Sequence, residues 1–225
     1  MTDTDNIGLV KFTTPVTLIF PNLLQARRVK INGKETGEPK YGASFLLESD
    51  HPDLAACKAA MAAVAQAKWP GRDVRAAVQK GEIYLPISSG DKKIADDLAK
   101  GKKFDNSWLA GKIVLKANGK LPPKLGVLEN GRITPDLTGD MLSLNKDKFY
   151  FGAEVVPQVR FVAYDKVSGQ GSDFIICYVN AVLTFHPNKG KRLSGGPSVA
   201  ETFSAFAGKV SAENPTAGME DEIPF

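Results

Sequence analysis

Two cysteines and two histidines are all that this 225-residue chain holds of the residues that staple small folds or bind transition metals. Cys57 and Cys177 lie far apart, each in an apolar stretch, which excludes a disulfide framework and reads as two buried thiols. His51 and His186 each precede a proline and have no second His or Cys at ligand spacing, so zinc sites and Cys–His pairs have little support. No G-x-x-x-x-G-K-[ST] loop occurs, and no G-x-G-x-x-G follows a strand pattern; Gly169-Gln-Gly171 reads as a turn. Asp96, Asp97, Asp140 and Asp165 are the carboxylates that could bind magnesium in a nuclease, but they are scattered, and a solvated helix face explains the Asp96–Asp97 pair more simply. The reading is therefore non-enzymatic, with no catalytic residue, no metal and no cofactor. No apolar run approaches the roughly 20 residues needed to cross a bilayer. The polar, acidic residues 1–6 do not form a signal peptide.

What is present is ordinary bulk and an uneven charge. Hydrophobic residues make up 43% and charged residues 24%, enough to build a soluble core. Formal net charge is +4, yet from Glu213 onward there are four acids and no Lys or Arg. Residues 1–212 thus carry 29 basic against 21 acidic side chains, a net of +8. A basic body with an acidic end suits polyanion binding, the end competing for the same surface.

Along the chain, residues 9–20 are rich in β-branched and aromatic side chains and predict a strand broken near Pro15. Residues 25–41 read as a basic connection with turn signals at Asn32-Gly33 and Gly37. Tyr41 to Leu47 returns as strand, with Phe45 and Leu47 on one face. Residues 53–68 predict the clearest helix, capped by Ser49 or Asp50, with Leu54, Cys57, Met61 and Val64 as its core stripe. A short strand at 82–88 and a charged helix at 91–100, capped by Ser89 or Asp91, follow. Trp108 to Ala117 predicts a strand, and 118–148 long loops with short strands. Ala153 to Tyr164, kinked near Pro157, and Asp173 to Phe185 are the strongest β patterns, joined by a hairpin loop at 168–172. A short helix at 198–206 ends the body.

About seven mainly antiparallel strands with two inserted helices and long basic loops suit a mainly β, OB-fold-type Greek-key barrel. The simplest division is a domain at 1–206 and a flexible linker with a disordered acidic tail at 207–225. Basic residues and aromatics lie together in three places: Arg27, Arg28, Lys30, Lys34 and Lys40 with Tyr41; Lys102, Lys103 and Lys112 with Trp108; Lys146 and Lys148 with Tyr150. Arg160 lies on a strand near Tyr164. Cations that follow phosphates beside rings on which bases stack are what non-specific single-strand binding needs. Phe149, Phe151, Phe161 and Phe185 read as barrel packing instead.

The tail Glu220, Asp221, Glu222, Ile223, Pro224, Phe225 resembles the acidic Ile-Pro-Phe terminus of bacterial single-strand binding proteins. Residues 149–152, 159–165, 179–182 and 193–196 are similar to a bacteriophage family of single-stranded DNA-binding proteins built on an OB fold. The resemblance implies a protein that coats single-stranded DNA in phage replication or recombination, in the cytoplasm of the bacterial host. It also implies that Phe225 plugs into pockets on replication or repair proteins, with Pro224 fixing its approach and the three acids steering. Self-association on DNA is compatible with it. The body exceeds a bacterial single-strand binding domain by helices 53–68 and 91–100, so neither oligomeric state nor any DNA-contacting residue transfers. Two other classes stay open: a virion or scaffold interaction module, and a metal-dependent nuclease using Asp96 and Asp97.

Overall fold

The computed structural model describes residues 7–31, 34–101, 106–166 and 171–193, with only the backbone for 29–31. The strands are β1 (Leu9–Lys11), β2 (Val16–Ile31), β3 (Lys34–Glu48), β4 (Ile83–Tyr84), β5 (Ile87–Ser89), β6 (Lys112–Gly119), β7 (Lys124–Glu129), β8 (Arg132–Thr134), β9 (Glu154–Tyr164) and β10 (Asp173–His186). The helices are α1 (Asp53–Lys68), α2 (Val74–Gln79), α3 (Gly90–Ala99) and α4 (Gly139–Asn145), with 3-10 turns at Ser107–Leu109 and Lys146–Lys148. The fold is mainly β, as the strand patterns predict.

Strand order runs β5-β6-β3-β2-β9-β10-β7-β8, with β1 beside β9 and β4 beside β10. β9 and β10 are antiparallel, while β10 runs parallel to β4 at its start and to β7 at its end. Between those two stretches β10 comes alongside β6, where the Tyr178 ring lies against Gly119. That approach closes β2, β3, β6, β10 and β9 into a Greek-key barrel of the OB type. Alternation fills it: Val155, Pro157, Val159 and Phe161 point inward from β9, and Ile175, Cys177 and Val179 from β10. A bulge between Val179 and Ala181 resets the period, so Val182 faces the core as well.

α1 adds its stripe of Cys57, Met61 and Val64 to this core. Both cysteines are buried and free; burial pushes the Cys57 thiol up to about 12 and raises that of Cys177 well above its ordinary value. A second, smaller cluster of Ile19, Leu46, Leu109 and Val114 lies on the opposite face of β2, β3 and β6, with Ile94 of α3 and Trp108 packed against it. Both faces of those strands are covered there.

Four expectations are corrected. Residues 25–41 are the outer part of a long β2–β3 hairpin, with Ile31 in register with Lys34. Residues 34–40 are all exposed, so no apolar alternation marks the strand. The N-cap of α1 is Pro52; the donors at its start are served by His51, whose Nδ1 accepts the Asp53 N–H at 3.2 Å, so Ser49 and Asp50 have no capping role. The β6 strand starts at Lys112, because Trp108 belongs to a 3-10 turn. The described residues hold ten strands and four helices; α2 and α4 fall in stretches read as connections. The helix expected at 198–206, the Asn32-Gly33 turn and most of the 168–172 loop lie outside the described residues.

Candidate nucleic-acid interface

The alternation that sends Ile175 and Cys177 inward turns Phe174, Ile176 and Tyr178 outward, and on β9 it turns Arg160, Val162 and Tyr164 outward. Register then builds an aromatic row. Tyr164 stands opposite Phe174, their rings stacked at 5.6 Å and 23°. Tyr84 stands beside Phe174 on β4 and is 58% exposed. The Tyr164 and Tyr178 hydroxyls share a hydrogen bond of 2.8 Å. Desolvation, then that hydrogen bond, pushes the Tyr178 phenol up to about 12, so it is neutral at physiological pH. Arg160 is opposite Tyr178, and Tyr41 is opposite Gly119, on which the Tyr178 ring packs.

Tyr84 also lines a groove of about 620 Å³ between α3, β5 and β6. Lys92 and Lys93 enter it from α3, Lys100 from the C-cap of that helix and Lys116 from β6, against Asp96 and Asp97. Asp97 accepts the Asn106 side-chain amide at 2.8 Å and is buried, leaving the groove net positive. α3 is held at this place by two local features. The Ser89 hydroxyl accepts the Asp91 N–H at 3.2 Å, and Gly90 lies so near Leu109 that a Cβ would meet its carbonyl oxygen at 1.9 Å.

The residues singled out in the sequence are spread over several surfaces. Arg27, Arg28, Lys34 and Lys40 project from the β2–β3 arm, with Arg27 opposite Lys40. Lys30 is opposite Glu35 in the same ladder. Trp108 is half-buried and meets Phe151 edge-on at 5.4 Å. Lys112 is ion-paired with Glu48, and Lys148 lies 3.6 Å from Glu129. The Tyr150 hydroxyl donates to Gly190 and Asn188, and the Arg192 guanidinium sits 4.5 Å over its ring. Lys146 is exposed on the turn shared with Lys148, whose carbonyl accepts the Thr184 hydroxyl at the far end of β10 from Phe174. Register thus brings only Arg160 and Tyr41 to the aromatic row. Lys102, Lys103 and the tail residues Glu220 to Phe225 lie outside the described residues.

Tyr84, Phe174, Tyr178 and Lys116 were not among those choices. Phe174 and Tyr178 do carry a signal, since they occupy the outward parity of a strand whose inward parity is Ile175, Cys177 and Val179. Among the described residues no group of three or more His, Cys, Asp or Glu side chains could hold a metal ion. None of the described helices is long and apolar enough to cross a membrane.

Residues 10–214 match the model of a family described as the ssDNA-binding protein of Enterobacter phage Enc34. Among solved structures, the chain is similar to the single-stranded DNA-binding protein from bacteriophage Enc34 in complex with ssDNA, with 17% identity and a TM-score of 0.57, over 83% of this chain and 90% of that one. The same phage protein without DNA gives 18% identity and a TM-score of 0.54, over 86% and 88%. At these identities the likeness is one of fold. No curated protein sequence matches the chain.

Proposed function

The chain belongs to the family of the Enterobacter phage Enc34 ssDNA-binding protein, and on that premise we propose that it is a non-enzymatic protein that binds single-stranded DNA with little regard to sequence. The observation that carries this reading is the aromatic row Tyr164, Phe174 and Tyr84 running into a groove lined by Lys92, Lys93, Lys100 and Lys116. Every base has a π-face, so rings on a strand surface bind bases whatever the sequence, while the lysines follow the phosphates. A duplex hides those faces in its stack, so the row favours unpaired strands. The exposed cations of the β2–β3 arm, Arg27, Arg28, Lys34 and Lys40, add phosphate contacts beyond the barrel.

Fluorescence titration of the purified protein with oligo-dT tests the reading. It expects tight binding at low salt that weakens steeply as salt rises. No binding at low salt overturns it.

The finer reading is a role in phage DNA replication or recombination in the host cytoplasm. Residues 1–206 form the DNA-binding domain, and the tail at 207–225 recruits replication or repair proteins. It is supported by the arrangement of Glu220, Asp221 and Glu222 before Ile223, Pro224 and Phe225. Acids attract a basic pocket rim at long range, and the Pro-Phe end supplies apolar area once there. Capture of host replication and repair enzymes by the intact protein, lost with Phe225→Ala, is the expected result; equal capture by both proteins ends the idea.

A further inference from the structure

We infer that Phe20 is a second stacking platform for the same single strand, at the far end of the lysine-lined groove from Tyr84; this rests on the single-strand reading above. Phe20 sits where β2 leaves the barrel for the arm, within the register shift between Ile19 and Asn22. Its φ is +49°, in the left-handed region that a bulky L-residue rarely enters. Glycine or asparagine would hold this backbone with less strain. Burial does not offset that strain, because Phe20 is 49% exposed whereas its neighbour Ile19 is fully buried.

The ring is braced by two neighbouring aromatics. Phe151 meets it near edge-on at 5.1 Å, Trp108 lies 6.3 Å away, and Trp108 and Phe151 are themselves perpendicular. This three-ring mount fixes the orientation of Phe20 and leaves part of it to solvent. The Lys93 ammonium stands 5.9 Å over the ring, and Lys93 also lines the groove that begins at Tyr84. A fixed, part-exposed ring with a cation beside it matches a nucleobase and its phosphate. The shared lysine makes the groove and Phe20 one path.

The test uses Trp69→Phe, which leaves Trp108 as the only tryptophan of the two in the chain. Oligo-dT of roughly 4 to 16 nucleotides, the span of site sizes for one OB fold, is titrated while Trp108 emission is read. Saturation with the longer oligonucleotides is expected to change that emission. In the same background, Phe20→Leu should weaken their binding about 5- to 150-fold, the loss of one stacked base. Phe20→Tyr, which keeps the ring, should stay within about threefold of the parent. Unchanged Trp108 emission at saturation, or equal affinity of Phe20→Leu at every length, overturns the inference. An unfolded Phe20→Leu leaves the emission change and Phe20→Tyr to decide. Failure of the single-strand reading looks different, since then no oligonucleotide binds the parent.

Discussion

The Tyr164 and Tyr178 hydroxyls meet at 2.8 Å although their side chains start four residues apart along the β9–β10 ladder. Four residues of strand span about 13 Å, close to twice the reach of a tyrosine. Both side chains must therefore lie along the sheet, over Val162 and Ile176, instead of standing up from it. The hydrogen bond holds two rings down and leaves faces for a base to cover.

Tyrosinate absorbance reads this bond directly. Tyr178 is held neutral up to about 12, by burial first and by the Tyr164 hydroxyl second. A phenol whose folded value exceeds its unfolded value near 10 stabilises fully below pH about 10, and that contribution is lost as pH rises toward 12. Tyr164→Phe should make Tyr178 ionise earlier, visible as a late phase of the alkaline titration moving to lower pH. An unmoved late phase would show that the bond does not form.

Phe174→Ala removes the ring that stacks on Tyr164 and touches the path toward Tyr84. Affinity for oligo-dT should fall by about 1–3 kcal/mol, with the dependence on salt unchanged, since no cation is lost. Intact affinity with an unchanged salt dependence would point to phosphate contacts alone.

The lysines should show the converse. Lys92→Ala or Lys116→Ala is expected to reduce the slope of log affinity against log salt by about 0.7 each, the value for one phosphate contact on single strands. On the arm, Arg27 and Lys40 face one another as like charges. Either one changed to Ala should leave stability unchanged or raise it by a few tenths of a kcal/mol, while binding weakens. Thermal melts beside salt-dependent titrations separate these effects.

What the sequence revealed and what it hid follow from burial. Phe45 and Leu47, the Cys57–Met61–Val64 stripe and the alternation of β10 were legible because these side chains recur at the period of their element and pack into one core. The outer arm was not, since residues 34–40 are all exposed and have no apolar period to detect. The aromatic row was hidden for another reason. Tyr84 and Phe174 become neighbours only through the parallel β4–β10 register, which no local pattern encodes. Clustering by sequence proximity favoured Tyr150, whose hydroxyl and ring face are already occupied by Gly190 and Arg192. It passed over Tyr178, which stands alone in sequence.

Asp53 supplies a stability prediction independent of DNA. Its carboxylate, in the first turn of α1, accepts the Thr13 N–H at 3.0 Å, the Thr13 hydroxyl at 2.9 Å and the Thr14 N–H at 3.0 Å. Those bonds tie the β1–β2 turn to the helix. Burial alone would raise this carboxyl, but the three donors and nearby His51 reverse the effect and leave it below the ordinary value. A depressed carboxyl stabilises above its unfolded pKa, and the contribution is lost as pH falls through the folded value. Asp53→Asn should cost roughly 2–3 kcal/mol at neutral pH, lowering the melting temperature by about 4–12 °C. At a pH below the folded value the parent carries a neutral carboxyl and resembles the variant, so the two melts should converge. A gap that stays constant from neutral to acid pH would mean that Asp53 acts through shape and not through charge.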